Sequence, residues 1–350
     1  MIKPLTSLRF VFAFMVLASH STIFMRCEGT FLYHLFSEGF VGVSFFFVLS
    51  GFILAYSYQE RFISGNVGKR SFYISRIARI YPVHAVCILV YIWMQKGFSV
   101  DAHYVVTLFK YLTLTQAYTE LHYPPTFNTA SWSLSCELFF YLLFPFIIAW
   151  IAKSKQSFIV CFGLFISAIA VVTFCADATE FYDWLLYMSP YFRIADFGIG
   201  IALFNICRSG LLDKWRKSIP PTLLEVCAVL LLFLFYCAAW FIPQAFRHAM
   251  WYWIPVAFLI YVFYYQAGRV SKFLSARTGV LLGEISFSFY MVQMFVRHYI
   301  NRAVTLTGIS PSPVMLFIAF VVMTTIVASL FFKYIEKPAN KFIKQSFAPK

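Results

Sequence analysis

Long apolar stretches separated by short polar or basic turns fill the chain from end to end. A helix needs about 20 mostly apolar residues to cross a hydrocarbon core. Stretches of that kind lie near 7–25, 40–58, 80–95, 132–152, 158–175, 185–206, 221–241, 249–266, 280–299 and 313–334. The pattern predicts an all-α polytopic membrane protein with ten transmembrane helices in a single domain over residues 1–350. One part departs from this ladder. Residues 97–131 mix apolar segments with Asp101, His103, Lys110 and Glu120 and close on Pro124-Pro125. A helix over Tyr104–Tyr118 would be too short and too polar to span, so an amphipathic or re-entrant piece on the outer side is expected there. No internal repeat, low-complexity tract or soluble domain is visible.

Composition sharpens the picture. Hydrophobic residues make up 61% of the chain and charged residues only 12%, about half the usual charge of a soluble domain. So little charge cannot cover a water-facing surface, which excludes a soluble enzyme, a disordered chain and a coiled coil. The net charge of +14 would otherwise point to nucleic acid, but in so apolar a chain it belongs to basic loops that orient the protein in a bilayer. With the N-terminus inside, 21 of the 28 basic residues fall in inner loops and six in outer ones. That asymmetry places both termini in the cytoplasm. The run Met1-Ile-Lys-Pro-Leu looks like a signal peptide, but Arg9 and His20 interrupt it and no clear cleavage site follows, so an uncleaved first span is expected. None of the eight cysteines forms a Cys-x-x-Cys pair, so they read as small buried hydrophobes, with no metal site among them.

Ionisable groups inside spans are costly and usually mark function. Arg9 and His20 lie eleven residues apart in the first span, which returns the helix to nearly the same face, with a rise of about 16 Å between them. The second inner loop carries Arg76 and Arg79 at i and i+3 on a short helix. Guanidinium forks bind phosphates bidentately, so this pair could hold a diphosphate; as two more positive-inside residues they would need no ligand. In the fourth span Glu137 shares a face with Ser133 and Tyr141, and an apolar setting demands a partner for it, with His20 and Arg193 as candidates. Gly42, Ser44, Ser50 and Gly51 read as packing residues. Gly283-Glu284 opens the ninth span, and Glu336-Lys337-Pro338 ends the tenth.

In order along nearly the whole chain, these motifs resemble the acyltransferase-3 family of bacterial membrane proteins, which O-acylate cell-envelope glycans, usually with acetyl groups. The resemblance rests on Arg9-x10-His20, Phe46-Phe-x-x-Ser-Gly-Phe52, Arg76-x-x-Arg79 with Tyr81-Pro82, Trp132-Ser-Leu-Ser-x-Glu137, Arg193 with Gly198 and Gly200, and the Glu336-Lys-Pro ending. Where the family has a histidine in the ninth span this chain has Gln293, so no catalytic role carries over to that position. Some family members have an extra span and a periplasmic esterase-like domain, which this chain is expected to lack.

The resemblance implies acetyl-CoA, or another short acyl-CoA, as a donor substrate rather than a resident cofactor. It implies an envelope glycan or lipid-linked saccharide as acceptor, and the bacterial inner membrane as location. Arg9, Arg76 and Arg79 would hold the CoA phosphates. His20 would act as general base or acyl relay, with Glu137 orienting its imidazole. Trp132 could stack on a sugar or anchor its helix, and Ser133, Tyr141 and Arg193 would support the site. A different class, a proton-coupled transporter or flippase, would also use intramembrane His and Glu. It predicts repeat symmetry and leaves the arginine pair without a role. A membrane scaffold needs none of these charges.

Overall fold

The computed structural model describes residues 2–21, 30–94, 101–120, 127–177, 179–309 and 311–347, and among them every regular element is helical. The first half contains α1 (Lys3–Ser19), α2 (Phe31–Ser37), α3 (Val41–Ile63), α4 (Lys69–Met94), α5 (Ala102–Leu112), α6 (Trp132–Lys153), α7 (Lys155–Cys175) and α8 (Glu180–Asp183). The second half contains α9 (Pro190–Ser209), α10 (Asp213–Lys217), α11 (Pro221–Ala238), α12 (Gln244–Ala249), α13 (Trp253–Tyr264), α14 (Arg269–Leu274), α15 (Arg277–Thr307), α16 (Pro313–Phe331) and α17 (Lys337–Phe347). Local chemistry sets many ends. Proline opens α9, α11 and α16, where its missing N–H costs nothing. Gly210 and Gly308, both at φ +66°, close α9 and α15 in the left-handed region that glycine favours.

Among the described residues seven helical segments are long and apolar enough to cross a membrane: Tyr33–Ile63, Lys69–Met94, Thr129–Lys153, Lys155–Cys175, Pro221–Phe241, Arg277–Thr307 and Pro313–Phe347. The other three predicted spans fall on α1, which has 17 residues, on α13, which has 12, and on α9, which carries Arg193, Asp196 and Arg208. These three lie inside the bundle, where neighbouring helices shield them and length and apolarity are less demanding. Residues 22–25 of the first predicted span lie outside the described residues. Arg76 and Arg79 were expected on a short loop helix but sit within α4, which begins at Lys69.

Within segment 97–131 the described residues form α5 and a short turn at Gln116–Tyr118 before the start of α6. Tyr104 and Tyr111 of α5 pack on Phe127, while Val105, Val106 and Phe109 face outward. The chain then turns into the bundle over the start of α6. Gln116 donates to the Ser131 carbonyl (2.8 Å), and Ser135 donates to that of Leu114 (2.7 Å). The cysteines divide: Cys87, Cys136 and Cys207 are buried, but Cys161, Cys175 and Cys227 are exposed on helices whose outer faces are apolar. The expectation of burial overlooked that lipid is also a home for a small apolar side chain.

Two crossings hold the centre. α3 packs on α9, and α1 packs on α15. A methyl group on Gly51 would collide with the Phe197 carbonyl, one on Gly200 with that of Val48, and one on Gly283 with that of Thr6. Only glycine allows backbones this close, which is how helices associate without water to drive them together. Gly51→Leu should therefore lower the melting temperature in detergent by several degrees, an overpacking cost of about 1–3 kcal/mol or more. Gly163→Ala, where nothing lies within 4 Å of an added Cβ, is the control. Equal melting temperatures for the two variants would refute the close-approach account.

Candidate active site

At the basic end of the bundle a cavity of about 700 Å³ opens between α1, α3, α4, α15 and α17. Arg9, Arg76, Arg79, Lys337, Lys341 and Lys344 line it, against only Glu284 and Glu336. The three arginines singled out in the sequence thus meet in one space. Arg76 donates to the Tyr58 hydroxyl (3.2 Å) and to Ser75 (3.3 Å), and its guanidinium lies 5.2 Å from the Tyr58 ring centre. These contacts hold the side chain in place without neutralising it. Arg79 instead pairs with buried Glu336, whose second oxygen accepts from Ser288 (2.6 Å). A widened π-turn over Phe332–Glu336 bends α16 into α17 and places that carboxylate.

Above the cavity, a pocket of about 50 Å³ is lined by Arg9, Val43, Phe46, Phe47, Ser133, Leu134, Glu137, Ser286, Phe287 and Tyr290. Arg9 borders both spaces. Glu137 accepts from the Tyr141 hydroxyl (2.8 Å) and feels the charges of Arg9, Arg79 and Arg76. The hydroxyls of Ser133 and Tyr290 lie 3.1 Å apart, and both reach the Ala130 carbonyl. The structure therefore brings together Arg9, Glu137, Ser133 and Tyr141.

His20 stands elsewhere. It ends α1, beside Gln293, and its carbonyl accepts from Arg297. Its Nδ1 and both amide atoms of Gln293 are buried without a complete hydrogen bond. Beyond lies a third cavity of about 240 Å³, lined by Tyr91, Met94, Phe127, Thr129, Met294, Arg297, His298 and Asn301. His20 lines none of the three spaces. The small pocket stops at Tyr290, one helical turn below Gln293 on α15.

Two expected partnerships are corrected. Glu137 does not pair with His20; it accepts from Tyr141 and lines one pocket together with Arg9. Arg193 does not pair with Glu137 either. It lies 3.5 Å from Asp196, donates to Ser44 (2.8 Å) and to the His248 carbonyl (2.9 Å), and is buried. Trp132 lines none of these three spaces and packs against Phe47 and Tyr187.

The sequence reading missed a second polar cluster. Fully buried Glu38 pairs with Arg247, accepts from Tyr252 (2.7 Å), and lies 3.7 Å from His34. Burial and the adjacent Arg247 and Arg193 hold His248 down to about 3, so it stays neutral beside Asp183. The sequence reading also passed over the cavity-facing residues of α17. Their spacing was legible, but they were read only as topology signals.

An apolar helical bundle with seven segments fit to span a bilayer among the described residues, and with polar cavities holding arginine, glutamate, serine and tyrosine, defines a multi-pass membrane protein. The acyltransferase-3 family model, described as an acyltransferase domain, matches residues 4–333, and the chain belongs to that family. It is an acyltransferase, which decides against the transporter. It is 31% identical to acyltransferase MdmB of Streptomyces mycarofaciens, covering 86% of this chain and 80% of that protein. To a putative acetyltransferase, ORF330, of Acidianus two-tailed virus it is 24% identical, covering 79% of this chain and 78% of the relative. To O-acetyltransferase OatA of Staphylococcus aureus it is also 24% identical, over 92% of this chain but only 57% of OatA. No solved structure matches.

The arginines should behave differently on substitution. Arg79→Ala strands buried Glu336 and should cost about 1–3 kcal/mol of stability, discounted because Arg79 is partly exposed. Arg76→Ala should cost less than 1 kcal/mol. Adding Glu336→Gln to Arg79→Ala should restore part of the loss in thermal unfolding, and no recovery would mean that the pair is not coupled.

Proposed function

We propose that this protein takes a short acyl group, acetyl in the simplest case, from acyl-CoA and transfers it to a hydroxyl of a cell-envelope glycan or lipid-linked saccharide. The ten-span, cytoplasmic-termini arrangement in a bacterial inner membrane belongs to the same proposal, with the basic end toward the cytoplasm. One observation carries the reading: six cations face two carboxylates around a 700 Å³ cavity that meets, at Arg9, the pocket holding Glu137 and Tyr290. A polyanionic donor with a slender thioester arm fits that shape. The CoA phosphates would sit among Arg76, Arg79 and Arg9, and the pantetheine arm would rise past Arg9 toward Tyr290. The family membership and the relatives named acyltransferase and O-acetyltransferase support acyl transfer.

In this reading His20 is the general base or the acyl relay. As base it removes the acceptor hydroxyl proton while the oxygen attacks the thioester carbonyl. The C–S bond then breaks, and the same proton passes to the departing CoA thiolate. As relay, the His20 imidazole attacks the thioester carbonyl, the C–S bond breaks and the ring proton leaves with the CoA thiolate; the acceptor hydroxyl then attacks the acyl-imidazole, the C–N bond breaks and the hydroxyl proton returns to the ring. The third cavity, beside Arg297, lies across Gln293 and His20 from the small pocket and suits an acceptor arriving from the opposite side. Glu137 serves this scheme by facing Arg9, which would hold the donor arm in place.

The test uses labelled acetyl-CoA and membranes carrying the envelope acceptor. His20→Ala should lower label transfer to the glycan fraction by about a hundredfold or more while the protein stays monodisperse and folded. Undiminished transfer would remove His20 from the mechanism.

A further inference from the structure

The family match stops at residue 333, yet the basic cavity does not. Its wall continues onto α17 with Lys337, Asn340, Lys341 and Lys344, a spacing that puts all four on one helical face. The helix is fixed there: Asn340 donates to the Ala78 carbonyl of α4 (3.1 Å), and Glu336, just before it, pairs with Arg79. Its aromatic residues Phe342 and Phe347 point away and are exposed. α17 contains no acidic residue, and Lys344 lies close enough to Arg76 and Arg79 to be repelled by both. Like charges gathered around a cavity destabilise one another until an anion joins them.

We infer that α17 is a phosphate-reading wall of the donor site, with Lys341 and Lys344 taking the 3′-phosphate of the ribose of CoA. This deepens the proposed function and rests on it. The order of groups follows from depth. The acyl end of the donor must travel toward Arg9, so the diphosphate follows at Arg76 and Arg79. The adenosine end comes last, at the mouth, where Lys341 and Lys344 are exposed. A donor carried on an acyl carrier protein has the pantetheine arm without the 3′-phosphate, so α17 selects free CoA thioesters over carrier-bound ones. Anionic lipid headgroups are the other source of phosphate at a membrane surface, and the experiment separates the two.

Wild-type protein is placed in nanodiscs of phosphatidylcholine alone, and binding of CoA and of 3′-dephospho-CoA is titrated. Wild type should prefer CoA by about tenfold or more. Lys341→Ala with Lys344→Ala should weaken CoA binding by a similar factor, leave dephospho-CoA nearly unchanged, and so erase the preference. Lys341→Arg with Lys344→Arg should restore it. An unaltered preference in the alanine variant overturns the inference while leaving the CoA reading intact, as does equal wild-type affinity for the two ligands. An effect seen only after phosphatidylglycerol is added assigns the lysines to lipid and also overturns it. Failure of wild type to bind either ligand would bring down the donor reading itself.

Discussion

A charge cannot rest in hydrocarbon without a partner, and this constraint organises the whole molecule. Glu38 has Arg247 and Tyr252, Arg193 has Asp196 and Ser44, and Glu336 has Arg79 and Ser288. Glu225 is met by the backbone N–H groups of Gly268, Val270 and Ser271 at the start of α14. Apart from Arg193 and Asp196, which share α9, each of these contacts joins segments distant in sequence, so electrostatics and architecture are the same interactions. At the basic end the balance is left unfinished, with cations in excess around an open cavity. That is the part of the bundle that the proposed polyanionic donor would complete.

The reaction site follows from the same logic combined with helix geometry. Arg9 and His20 share a face of α1 but differ by about 16 Å in height, and the surrounding helices divide that height into separate compartments. Arg9 joins the basic cavity to the pocket of Glu137, Ser133 and Tyr290. His20 keeps company with Gln293 and Arg297. A chemistry that begins at one compartment and ends at the other has to be carried along the seam between α1 and α15.

Much of this was legible in the sequence, and for identifiable reasons. Apolar periodicity located the helices because lipid forces every backbone group into internal hydrogen bonds. The arginine motifs located the cavity because cations are too costly to bury idly. What could not be read was depth. The position of Glu137 in its span gave no sign that it would share a pocket with Arg9 rather than stand beside His20. Arg193 found Asp196, three residues along its own helix, a nearer partner that the reading had passed over. The lysines of α17 were visible, but topology already explained them and hid their second use. Spans also merged with interior helices in the count, because α1, α9 and α13 are screened by neighbours and need not look like lipid-facing segments.

The seam between α1 and α15 has a consequence for biogenesis. α1 docks on α15, which starts at Arg277 and is made about 270 residues later, through contacts such as Gly283 against Thr6. Until α15 has been made, Arg9 lacks the α15 residues that line the two spaces it borders. A nascent chain halted before that point is left with α1 short of its principal packing partner, and quality-control proteases would meet it in that state.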